Sequence, residues 1–215
     1  MLLDIQHLRQ EYGSALLDKA HVHPDPVRQF EQWFKEAVAA NLPEPNAMVL
    51  ATCNANGKPS ARVVLLKGVE NGGFVFYTNY NSRKGQDLKA NSHTALVFNW
   101  LELYRQVRIE GRAELIDVEI STAYFQSRPK GSQIGAWASP QSSVIEDREI
   151  LEANTRALEV QYAQIDTLPR PAHWGGYIVR PALVEFWQGR ENRLHDRLQY
   201  TLQTDGTWLL ERLAP

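Results

Sequence analysis

The chain has a single cysteine, Cys53, in 215 residues, so no intrachain disulfide can form and a reducing compartment suits it. No apolar run approaches the roughly 20 residues that a membrane-spanning helix needs, and the N-terminus has no charged-then-apolar leader pattern. These absences make the cytoplasm the expected location and a membrane partner an unexpected one. Charge of one sign is not in excess either: the formal net charge is −2, which gives no footprint for nucleic acid. Neither of the glycine-rich phosphate loops that open dinucleotide and mononucleotide folds occurs. Metal-ligand spacings, internal repeats and low-complexity tracts are also missing, so no metal is expected.

What remains is rich in rings. Six Trp, seven Phe and eight Tyr suit both a packed core and a flat ligand. The chain opens with a helical pattern from Met1 to Tyr12, Leu2, Ile5 and Leu8 falling on one face before Gly13. Ser14 to Pro24 reads as irregular. Asp25-Pro26 then starts a helix with an N-cap carboxylate and a first-turn proline, and Phe30, Trp33, Phe34, Ala37 and Val38 form its apolar stripe.

The period changes after Pro45. Met48–Cys53, Ser60–Lys67, Phe74–Thr78, Thr94–Trp100 and Arg105–Leu115 read as strands, with Asn56-Gly57 and Gly72-Gly73 as turns. Short strands with few helices between them predict an antiparallel barrel rather than a doubly wound sheet. One helix interrupts them, Ser82–Lys89, with Ser82 as cap and Arg83 and Lys84 in the first turn. Cations there oppose the helix dipole by about 0.3–1 kcal/mol each, and a bound phosphate would reverse that sign. A solvent-facing basic turn is the plainer alternative.

Further on, Asp117 is expected to cap a helix through Ser127, placing Tyr124 and Arg128 on one face at i and i+4. Ser132 then precedes a short helix over Gln133–Ala138, and a hydroxyl, a guanidinium and a helix start could together cradle a phosphate. Glu146–Gln164 reads as a long charged helix. From His173 to Arg197 the chain reads as two short strands around turns. If Arg193–Gln199 is extended, Arg193, His195 and Arg197 share a face, with the two arginines roughly 13 Å apart. Such a row is either a solvated basic face or a holder for an anion or an electron-rich ring. Asp205-Gly206 turns a last hairpin, closed by Trp208–Leu213.

WGGYIV, EFWQGR and RLHDR, in that order and spacing, resemble the C-terminal signature of the pyridoxine/pyridoxamine 5′-phosphate oxidases. The likeness extends over RVVLLK, SRKG and SRPKGSQIGAWAS, hence over nearly the whole chain. It implies a mainly β fold with flanking α-helices, the FMN-binding split β-barrel. On that pattern residues 1–215 form one domain: an N-terminal helical segment over 1–45, barrel strands over 46–116 and 173–215, and a helical insertion over 117–172.

The resemblance also implies roles. FMN would be held by Arg62, Val63, Val64, Leu65, Leu66 and Lys67, by Tyr77, Thr78, Arg83 and Lys84, and by Gln106, Gln141, Ser142, Trp187 and Arg197. The substrate's 5′-phosphate would fall to Lys67, Tyr124, Arg128 and Ser132, and the rest of the substrate to Arg193, Leu194 and His195. Arg9, Gln10, Glu11 and Tyr12 match a segment that reaches over the substrate, with Gln10 where relatives also carry arginine. Arg197 and His195 are the implied catalytic pair. The implied reaction oxidises pyridoxamine or pyridoxine 5′-phosphate with O2, in a homodimer whose two sites draw on both chains. A split-barrel reductase of another small molecule would not need Lys67, Tyr124, Arg128 and Ser132 together. A non-catalytic carrier would bind flavin and consume no oxygen.

Overall fold

The computed structural model describes residues 16–215; the expected Met1–Tyr12 helix, with Arg9, Gln10, Glu11 and Tyr12, lies outside them. Nine strands form the sheet: β1 (Ala47–Cys53), β2 (Pro59–Leu65), β3 (Gly68–Glu70), β4 (Gly73–Asn79), β5 (His93–Trp100), β6 (Arg105–Leu115), β7 (Trp174–Gln188), β8 (Asp196–Leu202) and β9 (Trp208–Leu213). They hydrogen-bond in the order β2-β1-β5-β6-β7-β4-β3, and β8 joins β7 to β9. Among the described residues five α-helices accompany them: α1 (Pro26–Ala39), α2 (Arg83–Ala90), α3 (Val118–Ser127), α4 (Lys130–Ala138) and α5 (Glu149–Gln161). The fold is mainly β with flanking helices, as the spacing of short strands predicts. No helix among the described residues is long and apolar enough to cross a membrane.

The chain divides into two compact units, one gathering the described residues up to 49 with 96–110 and 181–215, the other 50–95 and 111–180. In the first, Asp25 caps α1 by accepting from Val27 N at 2.8 Å, with Pro26 at the first helical position, as expected. The buried face of α1 carries Phe30, Trp33 and Ala37. Phe30 meets Phe98 at 4.8 Å between ring centroids, and the Trp33 ring stands edge-on to Phe186 at 5.1 Å. The β8–β9 hairpin belongs to this unit, with Trp187 opposite Arg197 across β7 and β8.

In the second unit Phe125, Ile134, Leu168 and Trp174 make a buried cluster under α3 and α4. Gly175 and Gly176 follow Trp174 because a Cβ at either would run into Tyr80 or into Ile116 and Tyr77. The double glycine of WGGY is thus a packing requirement on β7, where β4 pairs alongside.

Several expectations need correction. His173–Arg197 contains one 15-residue strand, β7, and not two short ones. Pro181 falls between the stretch paired with β4, which ends at Val179, and the stretch paired with β8, which starts at Leu183, so neither of those pairings calls on its missing N–H. Arg193 is not extended: it closes a turn over Glu191–Arg193 with φ of +61°, after Asn192 at +54°. Strand β8 begins only at Asp196, so the even alternation of Arg193, His195 and Arg197 is lost. Asp117 sits at the start of α3, but its side chain makes no capping hydrogen bond. Helix α4 begins at Lys130, so Ser132 lies within its first turn, and α5 is shorter than expected. Strand β2 stops at Leu65, short of the expected Lys67, with Leu66 buried beyond it.

Candidate active site

The β2–α2 region of the second unit opens into a cleft of about 330 Å³. Strand β2 supplies Arg62, Val63, Val64 and Leu65 to its wall, and Lys67 follows them. Tyr77 and Thr78 come from β4, Lys84 from α2, Tyr124 and Arg128 from α3 and its end, and Gln141 from the loop after α4. Asn79 and Trp174 complete the lining; residue types alone did not single them out, although Trp174 opens the WGGYIV signature. Leu66 is buried away from the cleft, and Arg83 and Ser142 are exposed outside its lining. Ser132 lines a smaller neighbouring cleft of about 260 Å³ with Arg128, Ser139, Gln141 and Trp174.

The first turn of α2 is built for a charge. Ser82, fully buried, accepts from Gly85 N at 3.3 Å and donates to Asn79 O at 2.6 Å. Gly85 has no alternative, since a Cβ would strike the backbone of Tyr80. Lys84 Nζ donates to Gln141 Oε1 at 3.0 Å, and the same oxygen accepts from Thr78 Oγ1 at 3.3 Å. Burial, then the nearby charge of Arg62, lowers the Lys84 pKa. Burial also lowers that of Arg62, against the pull of Asp87. Cations that lose solvation inside a cleft gain most from an anion brought to them.

At the other end the Tyr77 and Tyr124 rings stack at 3.9 Å, and Tyr77 lies 5.4 Å from Trp174 at 10° to it. Burial pushes the Tyr77 phenol up to about 12, so it stays neutral at neutral pH. The Arg128 guanidinium lies 4.8 Å from the Trp174 ring centre. Its Nη1 is buried with no hydrogen-bond partner among the described residues, and burial lowers its pKa. A buried guanidinium nitrogen without an acceptor costs free energy that an incoming phosphate oxygen would recover.

The first unit holds the remaining implied residues. Glu185, 3% exposed on β7, takes Arg197 Nε at 2.8 Å and Arg108 Nη2 on its other oxygen. Arg197 Nη1 donates to Ala214 O at 2.9 Å. His195 sits 4.6 Å from the Trp187 ring, and its Nδ1 accepts from Arg190 N at 3.1 Å. That bond assigns the neutral-ring proton to Nε2, a donor. Burial, then the charge of Arg193, lowers the His195 pKa, which favours that neutral form. Gln106 is half-buried between Arg105 and Val107 on β6, while Arg193 and Leu194 are exposed.

The architecture is that of the split β-barrels among which FMN-binding proteins are found. A solved FMN-binding protein from Nostoc punctiforme, related to pyridoxamine 5′-phosphate oxidase, superposes with a TM-score of 0.70 at 16% identity, covering 86% of this chain and 97% of that one. Residues 34–162 match the family described as Pyridoxamine 5′-phosphate oxidase, and residues 174–215 the Pyridoxine 5′-phosphate oxidase C-terminal dimerisation region. The chain is 59% identical to the pyridoxine/pyridoxamine 5′-phosphate oxidase of Salinibacter ruber and 58% to that of Burkholderia multivorans, over 97% of each chain in both pairs. PhzG from Burkholderia lata, solved with tetrahydrophenazine-1-carboxylic acid, superposes with a TM-score of 0.88 at 29% identity, covering 96% of this chain and 100% of that one. The chain belongs to the pyridoxamine 5′-phosphate oxidase family.

Proposed function

We propose that this protein is an FMN-dependent oxidase that converts pyridoxamine 5′-phosphate and pyridoxine 5′-phosphate to pyridoxal 5′-phosphate. With the amine, O2 and water are consumed and ammonia and hydrogen peroxide are released. The observation that carries the reading is the second unit's cleft, where Arg62, Lys67, Lys84 and Arg128 line one wall system and Arg128 Nη1 is buried without an acceptor. Two phosphates account for so many cations; a phosphate-free substrate leaves Lys67 and Arg128 without a purpose.

The donor set suits FMN: cations and the α2 N-terminus for its phosphate, and the apolar run Val63–Leu65 beside a flat ring. FMN when bound supplies the two-electron acceptor, which O2 restores. Arg62 and Lys84 hold the cofactor's phosphate, with Arg83 adding charge from the same helical turn. Lys67, Tyr124, Arg128 and Ser132 hold the substrate's phosphate. Anchoring that remote group spends binding energy on aligning C4′, so the residues at the phosphate act on rate as well as affinity. Arg197 remains protonated at any working pH and serves as a fixed charge near the reacting carbon, not as a base. His195, neutral with its proton on Nε2, offers a hydrogen bond to the substrate. Trp187, Gln106, Arg193 and Leu194 belong with these two in the first unit. In the homodimer that the dimerisation region implies, each site draws on both chains.

Oxygen uptake on adding pyridoxamine 5′-phosphate to the FMN-loaded protein tests the reading. Uptake with one pyridoxal 5′-phosphate formed per O2 supports it; bound flavin with no uptake would leave a carrier.

A further inference from the structure

Thr52 and Asp87 belong to none of the residue sets above. Thr52 is 2% exposed on β1, and Asp87 is 6% exposed on α2. The Thr52 hydroxyl donates to Asp87 Oδ2 at 2.8 Å, while Arg62 Nη1 donates to that same hydroxyl oxygen at 2.8 Å. A hydroxyl has one proton and two lone pairs, and an ionised carboxylate only accepts. Asp87 therefore takes the hydroxyl proton and leaves a lone pair directed at the guanidinium. Arg62 is held at two more points, by Leu50 O at 3.1 Å and by Ser60 Oγ at 2.8 Å from Nη2. The guanidinium is locked before any ligand arrives.

We propose that Asp87 and Thr52 are positioning residues that orient the Arg62 fork toward a phosphoester in the cleft. The relay ties β2, which carries Arg62, to α2, whose first turn carries Lys84. The chain thus links Arg62 to the helix that carries Lys84, whose own Nζ is held by Gln141. Shape alone does not require it. Valine has the form of threonine, and a buried carboxylate carries a desolvation cost that an apolar side chain there would avoid. The proton-directing role accounts for both polar groups. The inference rests on the reading of Arg62 as a residue for the cofactor's phosphate.

Equilibrium binding of FMN and of riboflavin to the apoprotein, followed by quenching of flavin fluorescence, tests it, since the two ligands differ only by the phosphate. Thr52→Val and Asp87→Asn should each weaken FMN by about tenfold or more and change riboflavin by less than about twofold, the scale of one hydrogen bond to a charged group. Thr52→Ser keeps the hydroxyl and should keep the FMN-to-riboflavin ratio. Equal losses for both flavins, or no loss for either, would overturn the positioning role. Arg62→Ala separates the two layers. If it leaves the ratio unchanged, the phosphate reading of Arg62 itself fails. If it collapses the ratio while Thr52→Val does not, only the relay fails. Should Asp87→Asn not fold, the isosteric Thr52→Val decides.

Discussion

Glu185 is where one side chain decides the behaviour of two others. Burial alone would raise its pKa, but hydrogen bonds and charge from Arg197 and Arg108 outweigh that, and it lies below its ordinary 4.5. A carboxyl depressed by folding adds stability above its unfolded value and surrenders it as pH falls through the folded value. Melting temperatures should therefore drop as the solution is acidified below the usual carboxylate range. Glu185→Gln should be less stable at pH 7 by about 2–3 kcal/mol, because Arg197 loses its carboxylate partner and Arg108 keeps only Glu110. Its melting curve should converge on that of the parent in acid, and a constant gap at every pH would exclude the linkage. Arg128 makes a different case. Its guanidinium rests on Trp174 with Nη1 buried and unpartnered, so on the proposed function Arg128→Ala removes a phosphate contact together with this stacking. Steady-state kinetics should show KM for pyridoxamine 5′-phosphate raised about ten- to a hundredfold, the scale of a charge-assisted hydrogen bond, with a smaller loss in kcat. A normal KM would take Arg128 out of the substrate's phosphate site.

Among the elements, α2 carries the most chemistry in the fewest residues. Gly85 in its first turn separates two effects by sign. Glycine in a helix interior is worth about 0.5–1 kcal/mol less than alanine, so propensity alone makes Gly85→Ala stabilising. The alanine Cβ, however, would overlap the Tyr80 backbone, which cannot swing aside like a flexible side chain. Overpacking of that kind costs about 1–3 kcal/mol, so the melting temperature should fall by roughly 2–12 °C, and FMN affinity should fall with it as Lys84 is displaced. A rise in melting temperature would show that the turn adapts. This element was legible in the sequence: Ser82 caps it and places Arg83 and Lys84 in its first turn, as expected. The β6 span and the α1 cap were equally legible, because a strict alternation and an Asp-Pro start are local signals. The turn at Glu191–Arg193 was not. Asn192 and Arg193 adopt positive φ there, and nothing in RENRLHDR marks Arg193 for a conformation that glycine usually takes. The single long β7 was hidden for a related reason, since whether Pro181 ends a strand depends on which neighbour needs its missing N–H. Asp87 and Thr52 were invisible as a pair, 35 residues apart and joined only by the approach of β1 to α2.

For the whole molecule, the two groups of implied residues fall in different compact units: the cations of the cleft in one, and Gln106, Trp187, His195 and Arg197 in the other. The sequence match to a dimerisation region, residues 174–215, covers Trp187, His195 and Arg197 of the second group, while Gln106 falls in the match over 34–162. On the proposed function, oxidation needs both groups at one flavin. If each site takes the first group from one chain and the second from its partner, two inactive variants can repair each other. Arg62→Ala spoils the cofactor's phosphate site, and Arg197→Ala is expected to abolish turnover with FMN still bound. Each homodimer would then be inactive at both sites. After mixing, denaturation and refolding together, half of the dimers should be mixed, each with one site doubly altered and one intact, so activity should return to about a quarter of the parent's. The same variants refolded separately and then combined should show none. Complementation fails if both groups serve a site within one chain, because every chain in the mixture then carries a defect. Size-exclusion chromatography with light scattering on the same samples must show dimers throughout, so that lost activity is not confused with lost assembly.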